Sequence, residues 1–249
     1  MLNTFIEPRS AAEMFANSTA DALSQKGLRQ LLHAQELTAS FQPGLDLRNG
    51  TIVGHEGLIR GPAGGLHHSP AHFFAEAERL GLSAEAEVAS RQVVIRRFAE
   101  LALPGKLFLH VSPASLTHPD LRNGKTATLI RSVGLTPARV MIELTENQPF
   151  FDIEGIMDAL RHFRETGFGI AIDDLGAGFS SLKLWLDLLP EIVKIDMHFV
   201  QGVYRDSMKY NFLRSVQDIA KQAKRIEGSA CFVERRNLAA AAGTAPAIL

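Results

Sequence analysis

From Ser40 onward the chain alternates short apolar runs with longer stretches of helical spacing. The runs are SFQPGLDL, TIVGHEGLI, KLFLHVS, RVMIEL, GIAIDDL and EIVKID, each short enough to cross a sheet once. Between them, apolar residues recur at helical intervals near His72–Leu80, Ala84–Leu101, Leu121–Ser132, Ile153–Thr166, Leu182–Leu188 and Asp206–Lys224. Strands alternating with helices of roughly 10–15 residues predict βα units and a parallel sheet. Such a sheet closes into a (β/α) barrel or stays open and doubly wound. The first two runs are joined through Asn49-Gly50, a tight-turn dipeptide, so this pair is expected to be an antiparallel hairpin.

Residues 1–37 read as an N-terminal leader, with one helix between Ala20 and His33 marked by Leu23, Leu28, Leu31 and Leu32. Residues 38–249 then form a single domain, without a tandem repeat or a low-complexity linker. The βα pattern degenerates after about residue 224, and the Ala-rich stretch Ala239–Leu249 supplies no last βα unit. The expected fold is therefore an α/β barrel left incomplete at its C-terminal end. An open barrel leaves a strand edge that invites association.

Composition narrows the functions. Of the 249 residues 46% are hydrophobic, enough for a sizeable core. Lys and Arg total 26 against 27 for Asp and Glu, which argues against a broad grip on DNA or RNA. A small anionic ligand in one local pocket stays compatible with that balance. The single cysteine, Cys231, excludes an internal disulfide and fits a cytoplasmic protein. The N-terminus lacks the charge and apolar pattern of a signal peptide, and no run reaches the roughly 20 apolar residues of a membrane span.

Acids stand where a barrel would put its chemistry. Strand C-terminal ends open into the mouth of such a fold, and here they carry Glu143, Glu146, Asp173, Asp174 and Asp196, with Glu56 inside the second run. Converging carboxylates are costly to bury and normally hold cations. Oxygen ligands favour Mg²⁺, Ca²⁺ or Mn²⁺. Two such ions roughly 3.5–4 Å apart suit hydrolysis of a phosphodiester. Lys194, two residues before Asp196, falls on the same side of its strand and is placed to orient water or neutralise phosphate. Each acid has a plainer alternative as a surface group or a helix N-cap, and Asp173-Asp174 in particular can cap the helix that begins near Ser180-Ser181. His67, His68 and His72 form a second cluster, read as either a metal site or an exposed loop. Leu184 and Trp185 are read as core or interface residues.

Four ordered motifs resemble the EAL-domain family: Phe41-Gln42-Pro43 with Gly54-His55-Glu56-Gly57-Leu58-Ile59-Arg60, Glu143-Leu144-Thr145-Glu146, Asp173-Asp174-Leu175-Gly176-Ala177-Gly178-Phe179-Ser180-Ser181-Leu182, and Lys194-Ile195-Asp196. The resemblance implies a TIM-like barrel with an antiparallel first strand and hydrolysis of cyclic di-GMP to linear pGpG. It further implies Mg²⁺ or Mn²⁺ on Glu56, Glu143 and Asp173, and a second ion on Asp173 and Asp174. Lys194, Asp196 and Glu146 would take part in catalysis. Gln42, Leu58 and Arg60 would contact the dinucleotide, with Arg60 suited to a phosphate by its fixed pair of donors. Helices near Trp185 contribute to dimers in the family, so a homodimer or a protein partner is implied as well.

The chain departs from that family at three places. Glu56-Gly57-Leu58 replaces Glu-Ala-Leu, and the missing methyl is expected to loosen the strand without touching the carboxylate. His110 stands where the family has a metal-binding Asn; an imidazole suits Mn²⁺ or Zn²⁺ and serves Mg²⁺ poorly, and it also has the plainer role of bonding a neighbour. The glutamate-bearing strands of the family's C-terminal part have no good counterpart, with only Glu227 and Glu234 nearby. Two functions therefore stand side by side: a phosphodiesterase, or a catalytically inactive cyclic di-GMP receptor or interaction domain signalling through a partner.

Overall fold

In the computed structural model the described residues are 24–34, 36–46, 49–116, 118, 121, 123–145, 152–176, 181–227 and 230–232. They form one seven-stranded sheet in sequential order. The strands are β1 (Thr38–Leu45), β2 (Ile52–Arg60), β3 (Lys106–His110), β4 (Val140–Thr145), β5 (Gly169–Leu175), β6 (Ile192–Ile195) and β7 (Ala230–Phe232). β1 and β2 pair antiparallel, and every later neighbour pairs parallel. The architecture is a TIM-like barrel that is incomplete, with β1 and β7 at the two edges among the described residues.

The hairpin forms as its turn predicts. Gly50 takes φ +73°, its N–H donates to Asp46 O at 2.7 Å, and the Asn49 side chain accepts from the Thr51 N–H at 2.9 Å. Pro43 is tolerated in β1 because an edge strand needs fewer ladder donors. The strand β7 was not among the expected runs, since three residues carry no readable period. Its Cys231 sits opposite Val193.

The helices are α1 (residues 24–33), then α2 (Pro70–Arg79), α3 (Ser83–Glu100), α4 (Lys125–Ser132), α5 (Ile153–Thr166), α6 (Ser181–Leu188) and α7 (Ser207–Glu227). The expected helix from Leu121 instead begins at Lys125, because Gly124 turns left-handed at φ +72°. Helix α1 buries Leu28 against Ile59, Phe73 and Ala77, whereas residues 1–23 lie outside the described part. No helix among the described residues is long and apolar enough to cross a membrane.

Strand alternation divides the apolar residues into two layers. Leu107, Leu109, Val140, Ile142, Ile170, Ile172, Val193 and Ile195 face outward into the main core, with Val94, Phe98, Leu160, Phe163 and Trp185 from the helices. Phe108, Met141, Ala171 and Ile192 face inward and form a small separate cluster. That inner cluster is a floor. At the strand starts, two arginines tie loops to this frame. Arg139 lies over the Phe98 ring and donates to Leu103 O and Gly105 O, both at 2.7 Å. Arg164 donates to Glu191 at 3.0 Å and to Leu188 O and Leu189 O at 2.8 Å.

Gly57 does not loosen β2. A methyl on its Cα would overlap the Val94 side chain, so the missing methyl is replaced by Val94 of α3, which lies closer to the strand for it. Gly57→Ala is expected to destabilise the fold by about 1–3 kcal/mol through overpacking. Adding Val94→Ala should recover most of that loss, as read from denaturant unfolding midpoints. An unchanged midpoint for the single variant would contradict the packing described.

Candidate functional site

The floor residues fix where the chemistry sits. Two positions beyond Phe108, Met141, Ala171 and Ile192 on the same face stand His110, Glu143, Asp173 and Lys194. Glu56 joins them from β2, whose register places it opposite Phe108 and Gln42. Parallel register then sets His110 beside Glu143. Five side chains from five adjacent strands thus meet above one apolar layer.

Their contacts are ionic and short. Lys194 Nζ lies 2.7 Å from Glu143 Oε1, 3.2 Å from Glu56 Oε2 and 3.2 Å from Asp173 Oδ1. His110 Nε2 lies 2.5 Å from Glu56 Oε1 and 3.4 Å from Glu143 Oε2. Glu143 is fully buried, and neither of its oxygens receives a well-directed hydrogen bond; the Lys194 contact is close but poorly angled for one. Burial of Glu143 raises its carboxyl to about 7 against the opposing pull of Lys194 and His110. For His110 burial works against charge, yet Glu143, Glu56 and Asp173 outweigh it and hold the imidazole up at about 9.

One ligand atom from each of Glu56, His110, Glu143 and Asp173 lies within 4.8 Å of all the others. This is close to the spread of donors around one ion at about 2.0–2.2 Å. Together with the two Glu143 oxygens lacking directed donors, it makes the donor set fit a divalent cation. His67, His68 and His72 do not form a comparable group, and His68 instead contacts Gly61 O at 3.2 Å.

The remaining expected residues are placed as follows. Asp174 follows Asp173 in left-handed backbone at φ +55°, where β5 gains a residue relative to β6. Burial, then Asp173 and Asp196, push its carboxyl up to about 6. Asp196 caps the short helix Met197–Val200, accepting from the His198 N–H at 2.7 Å, which is the plain capping role available to a strand-end acid. Leu58 and Arg60 share the face of Glu56 by alternation and are half-buried, and Arg60 donates to Ile59 O at 2.8 Å. Glu146 and Glu234 lie outside the described residues. Trp185 is a core residue at 2% exposure.

Sequence reasoning missed Glu87 and Arg91 on α3. Ser112, just beyond β3, donates its hydroxyl to Glu87 Oε1 at 2.5 Å, and Arg91 Nη1 lies 3.5 Å from Glu87 Oε2. The signal was present: Arg91 sits in register with Val94, Ile95 and Phe98 on the apolar face of α3, where a charge is unexpected.

Comparison with known proteins agrees with this arrangement. A probable cyclic di-GMP phosphodiesterase of Escherichia coli, PdeB, is 31% identical over 205 residues, 79% of this chain and 38% of that protein. An uncharacterized signaling protein of Caulobacter vibrioides is 32% identical over 201 residues, covering 79% of this chain and 24% of that one. The chain thus spans well under half the length of these relatives. Klebsiella pneumoniae BlrP1, solved as a manganese and cyclic di-GMP complex, superposes with a TM-score of 0.69 at 26% identity, over 79% of this chain and 48% of that one. The Xanthomonas citri FimX EAL domain, in complex with cyclic di-GMP, shares the fold at a TM-score of 0.76 and 18% identity, over 94% of this chain and 98% of that one. A family model described as the EAL domain matches residues 25–247, and the chain belongs to that family.

Proposed function

We propose that this chain is a metal-dependent phosphodiesterase that opens cyclic di-GMP to linear pGpG. The observation that carries the reading is the convergence of Glu56, His110, Glu143 and Asp173 within 4.8 Å, with Lys194 touching three of them. Relatives named as cyclic di-GMP phosphodiesterases at about 30% identity supply the substrate. Those four residues would hold one ion, and Asp174 beside Asp173 offers a carboxylate for a second. A divalent ion in such a site polarises a phosphoryl oxygen and makes a bound water acidic.

The chain's own residues supply the rest. Lys194 keeps three carboxylates gathered and presents a positive charge to a phosphate oxygen. Arg60 offers a planar pair of donors to the other phosphate. Gln42, opposite Glu56 on β1, and Leu58 line the ligand face. Lys194 and Asp196 would help place the water. His110, where the family resemblance implies Asn, favours Mn²⁺ over Mg²⁺ as the working ion.

The direct test is product formation by the purified protein with Mn²⁺ or Mg²⁺. Linear pGpG should appear with Mn²⁺, and Glu56→Gln should lower the rate about a thousandfold or more, the equivalent of several kcal/mol of transition-state stabilisation. Saturable binding of cyclic di-GMP without product under either metal would replace this reading with that of a receptor, for which the imidazole between Glu56 and Glu143 is the motivating feature. His110→Asn should raise the ratio of Mg²⁺-supported to Mn²⁺-supported activity, and a constant ratio would remove His110 from the ion's ligands.

The pH dependence follows from His110. Its folded pKa of about 9 lies above the ordinary 6.5, so its contribution to stability is complete below 6.5 and is lost as pH rises through 9. Melting temperatures in chelator should fall across that window. A ligating imidazole must give up its proton, so stabilisation by added Mn²⁺ should be larger at pH 9 than at pH 6. Equal Mn²⁺ stabilisation at both values would contradict the assignment.

A further inference from the structure

We infer that helix α3 positions the candidate ion site, with Glu87, held by buried Arg91, fixing Ser112 and so the strand end that carries His110. This rests on reading Glu56, His110, Glu143 and Asp173 as ligands of one cation. Glu87 and Arg91 touch none of those four ligands by any contact described above, so they are positioning residues.

The Val111 N–H donates to Glu143 O at 3.0 Å, the link that carries the β3 and β4 ladder just past His110. One residue later the chain leaves the sheet, and Glu87 takes over the restraint. Ser112 donates its hydroxyl to Glu87 Oε1 at 2.5 Å and its N–H to Glu87 Oε2 at 3.4 Å. The same hydroxyl accepts from the Ser115 N–H at 3.2 Å, and Ser112 O accepts from Ser115 and Leu116, which starts the turn Pro113–Leu116. His110 is thus bracketed by a sheet bond on one side and a side-chain fork on the other.

Stability alone is a poor reason for this network. Arg91 and Glu87 have side chains only 6% and 16% exposed, with 3.5 Å between Arg91 Nη1 and Glu87 Oε2. Burying such a pair costs desolvation that the mutual attraction often fails to offset, and apolar residues of similar volume are commonly as stable. The neighbours Val94, Ile95 and Phe98 on the same face are apolar. What the ion pair adds is a buried charge that keeps the Glu87 carboxylate on this face of the helix; Arg91 Nη1 makes no directed bond, and the direction comes from the two bonds that Ser112 donates. The same helix sets Glu56 on the neighbouring strand, since Val94 fills the notch at Gly57 directly after it. Two ligands on two strands therefore take their heights from one helix.

The experiment is Mn²⁺ titration followed by electron paramagnetic resonance on wild type, Ser112→Ala, Ser112→Thr, Glu87→Ala and the Ser112→Ala/Glu87→Ala double variant, with melting temperatures in chelator alongside. Outer partners of metal ligands typically change affinity by about 10–100-fold. Ser112→Ala should weaken Mn²⁺ binding about 10-fold with a melting temperature within a few degrees of wild type. Ser112→Thr, which keeps the hydroxyl, should restore binding. The double variant should bind no more weakly than Glu87→Ala alone, because the two residues act through one contact. Wild-type affinity in Ser112→Ala, weak binding in Ser112→Thr, or fully additive losses in the double variant would overturn the inference while leaving the ion site intact. Absence of Mn²⁺ binding by wild type would overturn the site itself and this inference with it. Should Glu87→Ala fail to fold, with the buried Arg91 deprived of the Glu87 carboxylate, the two Ser112 variants decide.

Discussion

The carboxylate of Glu143 has no solvent exposure, and burial lifts it to about 7 even with two cations beside it, so the rest of the site is arranged around offsetting that burial. A bare carboxylate in such a place would protonate or unfold the chain. Here Lys194 and His110 each approach one of its two oxygens, at 2.7 and 3.4 Å. Both cations are shared, since each also contacts Glu56. Three carboxylates are therefore held together by two cationic groups, an arrangement with negative charge to spare. The oxygens of Glu143 remain without directed donors. A divalent ion would satisfy both the charge and the lone pairs, so this group of side chains could hold a metal.

The alternation of the strands explains why these residues meet at all. On β3 to β6 the inward positions run from an apolar floor residue to a polar one two places later: Phe108 to His110, Met141 to Glu143, Ala171 to Asp173, Ile192 to Lys194. Parallel register sets His110 level with Glu143 and Ala171 level with Ile192, while Glu143 pairs with Ala171, so Asp173 stands two residues further along its strand than Glu143 does on the neighbouring one. The floor excludes water from below and lowers the local dielectric, so each ionic contact above it counts for more than it would at the surface. Outward residues meanwhile hold the helices, and α3 carries the most polar part of that packing.

Much of this was legible in the chain. The Asn49-Gly50 turn gave the antiparallel first pair, acids recurring at strand ends pointed to Glu143 and Asp173, and Glu56 stood inside the second run. Lys194 followed from the two-residue period. What resisted reading was whatever depended on a neighbour distant in sequence. Gly57 looked like a lost methyl, because nothing near it in the chain names Val94 as the group that fills the space. Glu87 carries no local signal at all, since its partner Ser112 lies 25 residues away. Asp196 shows the opposite case: its local role as a cap for Met197–Val200 was one of the plain alternatives for any strand-end acid.

Asp173 and Asp174 show how local backbone geometry decides what a motif can do. Consecutive residues of a regular strand point to opposite faces, so only one of the two acids would reach the mouth. In β5 the pairing with β6 runs from Ile172 opposite Val193 to Leu175 opposite Ile195, three steps against two. That extra residue is a bulge, and Asp174 takes it up in left-handed backbone at φ +55°. Burial first, and then the charges of Asp173 and Asp196, raise its carboxyl to about 6. The bulge thus breaks the strict alternation that would send two adjacent acids to opposite faces. Backbone strain of this kind persists where the surrounding structure imposes it, and here the imposing elements are the β6 ladder and the Phe199 ring packed against Gly176.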